Sequence, residues 1–175
     1  ALKRHGEAKR CLAESDPETF NSVTMPEGVA PLAVAELNSP DDLSESDVRW
    51  IGSFNEAKAA DDAEFRQTQI ERAGDALDKL AKRQRGKRPL SKQNLQCKIK
   101  NTLKRHKAGK LLSVTVNERG PPRLSWEVDE DAVTKAARLD GKALFETTCS
   151  RERLSASEVA CAYRDRDTVE KFMES

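Results

Sequence analysis

The C-terminal stretch AYRDRDTVEKFMES sets a phenol, a guanidinium and a carboxylate in one row: Tyr163, Arg166 and Glu170. At about 100° per residue in a helix the three project within roughly 60° of one another, which makes them a candidate functional face. The same spacing admits a plainer reading. Val159, Ala162, Val169 and Met173 can be a buried stripe, with Arg166 and Glu170 an i, i+4 ion pair on a solvated helix. A second concentration of chemistry runs from Lys79 to Lys110, with thirteen Lys or Arg and no Asp or Glu. The chain's net charge of +1 conceals it, because the remainder is acidic on balance. Such a block is the electrostatic footprint of a surface that meets phosphate. Its candidate nucleic-acid contacts are Lys82, Arg83, Arg85, Lys87, Arg88, Lys92, Lys98, Lys100, Lys104, Arg105 and Lys107. The competing reading is a solvated, mobile basic loop.

Other chemistries find no motif. There is no GxSxG elbow, no P-loop and no GxGxxG, so neither a nucleophilic triad nor a nucleotide cradle is visible. Cys11, Cys97, Cys149 and Cys161 form no CxxC pair, and His5 and His106 have no partner at metal-ligand spacing. The four cysteines read as reduced intracellular thiols. With 37% hydrophobic and 35% charged residues, the chain has no apolar run near the ~18 residues that span a bilayer, and its start is polar throughout. A length of 175 residues suits one ordinary domain or two small ones.

The elements that must position these residues follow from periodicity. Residues 1–55 read as irregular or short-stranded, with a strand in VRWIGSF around Trp50. From Glu56 to about Arg83, Ala59, Ala63, Ile70, Ala73, Leu77 and Leu80 recur at three- and four-residue steps, a long amphipathic helix with acids early and bases late. The stretch RGKRPL breaks it. A second helix carries Leu95, Ile99 and Leu103 and stops near Gly109, so that residues 56–110 read as a basic helical hairpin. LLSVTV and RLSWEV, joined by NERGPP, predict a β-hairpin, and EDAVTKAARL is a link of little character. The turn dipeptide Asp140-Gly141 opens a strand over KALFETT, and Ser155 with Glu158 forms a capping box that starts the last helix at about Ala156. Residues 111–175 thus hold the hairpin, a strand and the closing helix.

Strand, capping box and spaced triplet together resemble the end of the catalytic core of insertion-sequence transposases of the DDE class. There a DG…T strand leads through a short LS…E loop into a helix bearing Tyr-x-x-Arg-x-x-x-Glu-x-x-x-x-x-x-Lys. Tyr163, Arg166 and Glu170 fall at those spacings, and LDGKALFETTCSRERLSASEVACAYRDRDTVEKF carries the likeness over residues 138–174, about a fifth of the chain. RWIGSFNEAKAADDAEFRQTQIERAGDALDKL is similar, more weakly, to the family's segment between the second Asp and the Glu. The family's final Lys would come two residues past Ser175.

The resemblance implies an α/β fold: a partial RNase H-like core, strand plus C-terminal helix, with a helical and β-hairpin insertion. It implies two-metal phosphoryl transfer on transposon-end DNA, with Mg²⁺ or Mn²⁺ in the complete enzyme. Glu170 would be the third acidic ligand, while Arg166 and Tyr163 would contact phosphate near the scissile bond. The basic segment would grip the transposon end, two copies would meet in a synaptic complex, and the protein would be cytoplasmic and nucleoid-associated, without a membrane partner. The family's two earlier Asp ligands are not assigned, because Asp16, Asp41 and Asp42 lack an apolar strand context. Both are expected before Ala1, leaving this chain a truncated core inactive by itself. The rival reading is a non-catalytic nucleic-acid-binding module that uses residues 79–110. A weaker rival is a helical interaction protein.

Overall fold

Alternating large and small residues in LAVAEL, RWIGSF and KALFET build strands that are covered on both faces. The computed structural model describes residues 2–24, 31–37, 48–117 and 120–173, with the side chains of 2–4 and 165–173 left out. It is a mixed α/β protein of two compact units. One comprises Ala1–Ala60 with Arg138–Ser175, and the other Asp61–Ala137.

In the first unit, β1 (Asn21–Val23), β2 (Leu32–Leu37), β3 (Arg49–Phe54) and β6 (Lys142–Thr147) form a four-stranded antiparallel sheet in the order β1-β2-β3-β6. Helix α1 (Leu2–Glu14) covers one face, where Ala8 and Leu12 pack with Leu37, Trp50 and Leu144. Helix α5 (Ala156–Met173) covers the other, where Val159 and Ala160 pack with Val34, Ile51 and Phe145. The two sets alternate along each strand, as a period of two requires. Burying a side chain such as Ile51, which is 0% exposed, contributes about 1.5–3 kcal/mol.

Helix α1 corrects the reading of residues 1–55 as irregular or short-stranded. Among its described side chains the buried ones are Ala8 and Leu12, helped by His5 edge-on to Trp50 at 5.9 Å. A stripe that narrow leaves little hydrophobic periodicity. The far end of the helix is held from β6, whose Lys142 ammonium donates to the carbonyls of Leu12 and Ser15, a cation where the helix dipole is negative. Burial pushes the Lys142 amine below its usual value.

The second unit takes in most of α2 (Glu56–Gln84), then α3 (Lys92–Arg105), the hairpin β4 (Leu112–Val116) with β5 (Leu124–Val128), and α4 (Glu130–Ala137). Ile70, Ala73 and Leu77 of α2 meet Leu95 and Ile99 of α3 and Leu112 and Leu124 of the hairpin in one core. The hairpin seats against α2 through Trp126. Its ring lies where Gly74 has no side chain, a Cβ there falling 2.6 Å from Cη2, and its Nε1 donates to Asp78 at 2.9 Å.

Two local readings need correction. The stretch EDAVTKAARL contains α4, started by Asp129, whose carboxylate accepts from Ala132 N–H at 2.9 Å. Helix α3 ends at Arg105, and the left-handed residue that turns the chain out of it is Lys107 (φ 55°), not Gly109. The Ala108 N–H reaches back to Leu103 and the Lys107 N–H to Lys104, the paired bonds of a Schellman motif. The fully buried Ala108 supplies its apolar contact, which outweighs the strain of a left-handed lysine.

Candidate functional site

The passage from β6 into α5 is closed by hydrogen bonds that the sequence pattern anticipates. Ser155 Oγ accepts from Glu158 N–H at 3.3 Å, and Glu158 Oε2 accepts from Ser155 N–H at 2.8 Å and from its hydroxyl at 2.7 Å. Those bonds hold the Glu158 carboxyl below its usual range.

A second set of bonds, invisible in the sequence, orders the loop between strand and helix. Arg49 of β3 donates to the Cys149 carbonyl at 2.9 Å and the Leu154 carbonyl at 2.8 Å. The same guanidinium forks onto Glu36 of β2, Nε to Oε1 at 3.0 Å and Nη2 to Oε2 at 3.2 Å. Arg151 adds Nε to Glu36 Oε1 at 3.0 Å from the exposed side. Arg49 and Glu36 side chains are 12% and 23% exposed, so the pair is little screened.

The Arg49 guanidinium holds the Glu36 carboxyl below its ordinary value. A carboxyl depressed by folding stabilises above the unfolded carboxylate pKa, and the effect is lost as pH falls through the folded value. Glu36→Gln should therefore cost about 1.5–3 kcal/mol at pH 7, with the gap to wild type closing below the carboxylate range. Urea unfolding at neutral and acid pH measures it; an equal gap at both would refute the ion pair as its source.

Tyr163 lies on the sheet-facing side of α5. Its ring stacks on Phe145 with centroids 5.1 Å apart and planes at 27°, and its hydroxyl donates to the Glu146 carbonyl at 2.8 Å. The stripe packed on the sheet is thus Ala156, Val159, Ala160 and Tyr163, whereas Ala162 is exposed. Arg166 and Glu170 fall within the span of α5, and their side chains lie outside the described residues. Of the earlier carboxylates considered, Asp16 caps the 3₁₀ turn Pro17–Thr19 by accepting from Glu18 N–H at 3.0 Å. Asp41 and Asp42 lie outside the described residues.

Among the described residues no group of three or more His, Cys, Asp or Glu is placed to hold a metal ion. Nor, among them, is any helix long and apolar enough to cross a membrane.

The basic block falls wholly in the second unit. All eleven candidate contacts, Lys82, Arg83, Arg85, Lys87, Arg88, Lys92, Lys98, Lys100, Lys104, Arg105 and Lys107, are exposed, as are Lys79 and Lys110. Its central turn is ordered by Gln84, 6% exposed, whose amide accepts from Leu90 N–H at 2.7 Å and donates to the carbonyls of Leu90 and Pro122. Arg85, Lys87 and Arg88 therefore project from a turn pinned to the hairpin, with Arg83 on the last turn of α2 beside them.

Sequence reading missed Phe65, which is 57% exposed and has the Lys107 ammonium 6.0 Å from its ring centroid. Arg72, Arg105 and His106 line the same small hollow. The signal was there, a lone aromatic in a polar stretch of α2. What brings it to the cations is the fold of α3 back over that helix. No protein-family model, curated protein or solved structure matches the chain.

Proposed function

We propose that this chain is the C-terminal part of a DDE transposase catalytic core, which cuts and joins DNA ends by metal-dependent phosphoryl transfer. The observation that carries the reading is one of chain order. The compact, basic unit Asp61–Ala137 interrupts a sheet whose strands β3 and β6 are hydrogen-bonded neighbours, and β6 then runs through a capping box into the helix of the Tyr-x-x-Arg-x-x-x-Glu spacing. In the transposases that this chain resembles, such an insertion stands between the second Asp and the Glu.

On this reading the sheet with α1 and α5 belongs to an RNase H-like core, and Glu170 is the third acidic ligand of the paired Mg²⁺ or Mn²⁺ ions. When bound, such ions would supply phosphoryl-transfer chemistry, with Glu170 among the residues that would hold them. Arg166 would fork onto phosphate. Tyr163 has a different part: stacked on Phe145 and bonded to the Glu146 carbonyl, it registers the helix on the strand. The basic unit would hold the transposon end, with two copies in the synaptic complex.

The second reading, a nucleic-acid-binding module without catalysis, is favoured by the exposure of the whole basic block and by the cation-ringed Phe65. Both readings place DNA on the second unit. They part at Glu170.

The deciding experiment is a Mg²⁺-dependent nicking assay on DNA ends, using the full coding sequence of the locus, with wild type and Glu170→Gln. Loss of a metal ligand worth several kcal/mol should slow nicking about 100-fold or more while end binding persists. Nicking that survives the change, or a locus that encodes no Asp-bearing strands ahead of this chain, would leave the binding module standing.

A further inference from the structure

The hairpin has an open edge beside α3. Asn117 N–H donates to the Arg123 carbonyl at 3.1 Å and Asp129 N–H to the Leu111 carbonyl at 2.9 Å, while Leu112 to Val116 pair with Val128 to Leu124 between them. Antiparallel pairs alternate between exchanging hydrogen bonds and not. Ser113 and Thr115 therefore bond to β5, and the backbone groups of Leu112, Val114 and Val116 point away from it. Leu112 N–H is taken by the Ala108 carbonyl at 3.1 Å. Among the described residues nothing pairs with the backbone of Val114 or Val116 on that side, and the sheet ends there at two strands.

Beside that edge runs a groove of about 750 Å³. Ile99 and Leu103 of α3 with Val114 and Val116 of β4 make an apolar floor, and Lys100, Lys104, Lys107 and Lys110 line it as well, with no acidic residue among the lining side chains. Lys100 and Lys104 stand four residues apart on α3, so their stems are about 5–6 Å apart, and Lys107 and Lys110 follow just past its end.

We propose that this groove takes an extended acidic segment of a partner protein, added along β4 as a third strand. Same-face residues of a strand recur every ~6.8 Å, close to the lysine spacing. An acidic-x-apolar-x-acidic segment would lay its apolar residue over Ile99 and Leu103 and bring its carboxylates to the lysines. Backbone pairing with Val114 and Val116 supplies affinity and the lysines select the charge, as in other strand additions. A sugar-phosphate chain would meet the lysines but has no side chain for the apolar floor and no donors to match a strand edge. The occupant is accordingly a peptide, and its binding would occupy Lys100, Lys104 and Lys107, three of the cations that the DNA reading also counts.

The test uses the full chain and the labelled pentapeptide Glu-Thr-Val-Thr-Glu, read by fluorescence anisotropy. Two alternately N-methylated versions are compared, one blocking each edge of the added strand. Saturable binding is expected, at least tenfold weaker with one methylated version and unchanged with the other, because only one edge faces β4. Lys100→Glu with Lys104→Glu should weaken binding at least tenfold with unaltered circular dichroism, and a Lys-Thr-Val-Thr-Lys peptide should not bind. Equal binding of both methylated peptides, no saturable binding of the acidic peptide, or a double variant that binds like wild type would each overturn the proposal. So would a groove that responds to oligonucleotides and not to the peptide.

Discussion

Neutralising Arg83, Arg85, Lys87 and Arg88 together should flatten the salt dependence of DNA binding by about 3.6 in the slope of log K against log salt, at roughly 0.9 for each phosphate no longer neutralised. Arg83 lies in the last turn of α2, and Arg85, Lys87 and Arg88 lie on the turn that follows it; all four are exposed, and the backbone there is held in place by the Gln84 amide. Removing their charge therefore weakens the hold on phosphate without disturbing the core of Ile70, Leu77, Leu95 and Ile99. Neutralising Lys9 and Arg10, which are exposed on α1 in the other unit, is the matched control and should leave the slope alone. The measurement is a titration of a duplex oligonucleotide at several ionic strengths. A slope that does not move would mean that the basic block is a solvated surface, and both DNA readings would go with it.

The largest structural effect is expected at Gly141. Its φ of +68° is left-handed, and a Cβ there would press on the Asn55 carbonyl oxygen and lie 2.7 Å from Ala59 Cβ. That neighbour is backbone and cannot step aside, because Asn55 caps α2 through Lys58 N–H at 2.8 Å and its own N–H donates to the Gly141 carbonyl at 3.0 Å. Gly141→Val should combine about 1–2 kcal/mol of left-handed strain with about 1–3 kcal/mol of overpacking. At about 2–4 °C per kcal/mol for a chain of this size, the melting temperature should fall by about 5–15 °C. Gly120, at φ +79° with nothing within 4 Å of a built Cβ, separates the two causes. Gly120→Ala should show the strain alone. Equal losses from Gly120→Ala and Gly141→Ala would show that the contact with α2 is unimportant.

These residues also mark what the sequence disclosed. The dipeptide Asp140-Gly141 announced a turn and Ser155 with Glu158 a cap, because turns and caps are local chemistry between near neighbours. β3, α2, α3, the hairpin and β6 were legible because their apolar residues recur at a fixed period. α1 and α4 were not, since among the described residues α1 fully buries Ala8 and Leu12 alone and α4 buries no residue fully. For α4 the Asp129 cap and an acidic first turn were the available signals. The Glu36–Arg49 pair and its hold on the loop before α5 could not be read, because its members come from β2, β3 and the far side of the insertion. The ring contact of Tyr163 with Phe145 was not legible, because it depends on how the helix lies on the sheet.

The antiparallel pairing of β3 with β6 has a consequence for how the molecule comes into being. Phe54 pairs with Lys142, so the sheet cannot close until the whole intervening sequence has been synthesised. If that sequence were slack chain, it would be a loop of about 90 residues, and each doubling of loop length costs about 0.6 kcal/mol in closure entropy. The unit Asp61–Ala137 changes this, because its helices and hairpin are made largely of contacts between near sequence neighbours, the kind that form quickly. Folded first, it converts a long flexible tether into a short stiff one. The late strand then docks beside a partner that left the ribosome long before it, and any substitution that delays the inserted unit will delay the sheet it interrupts.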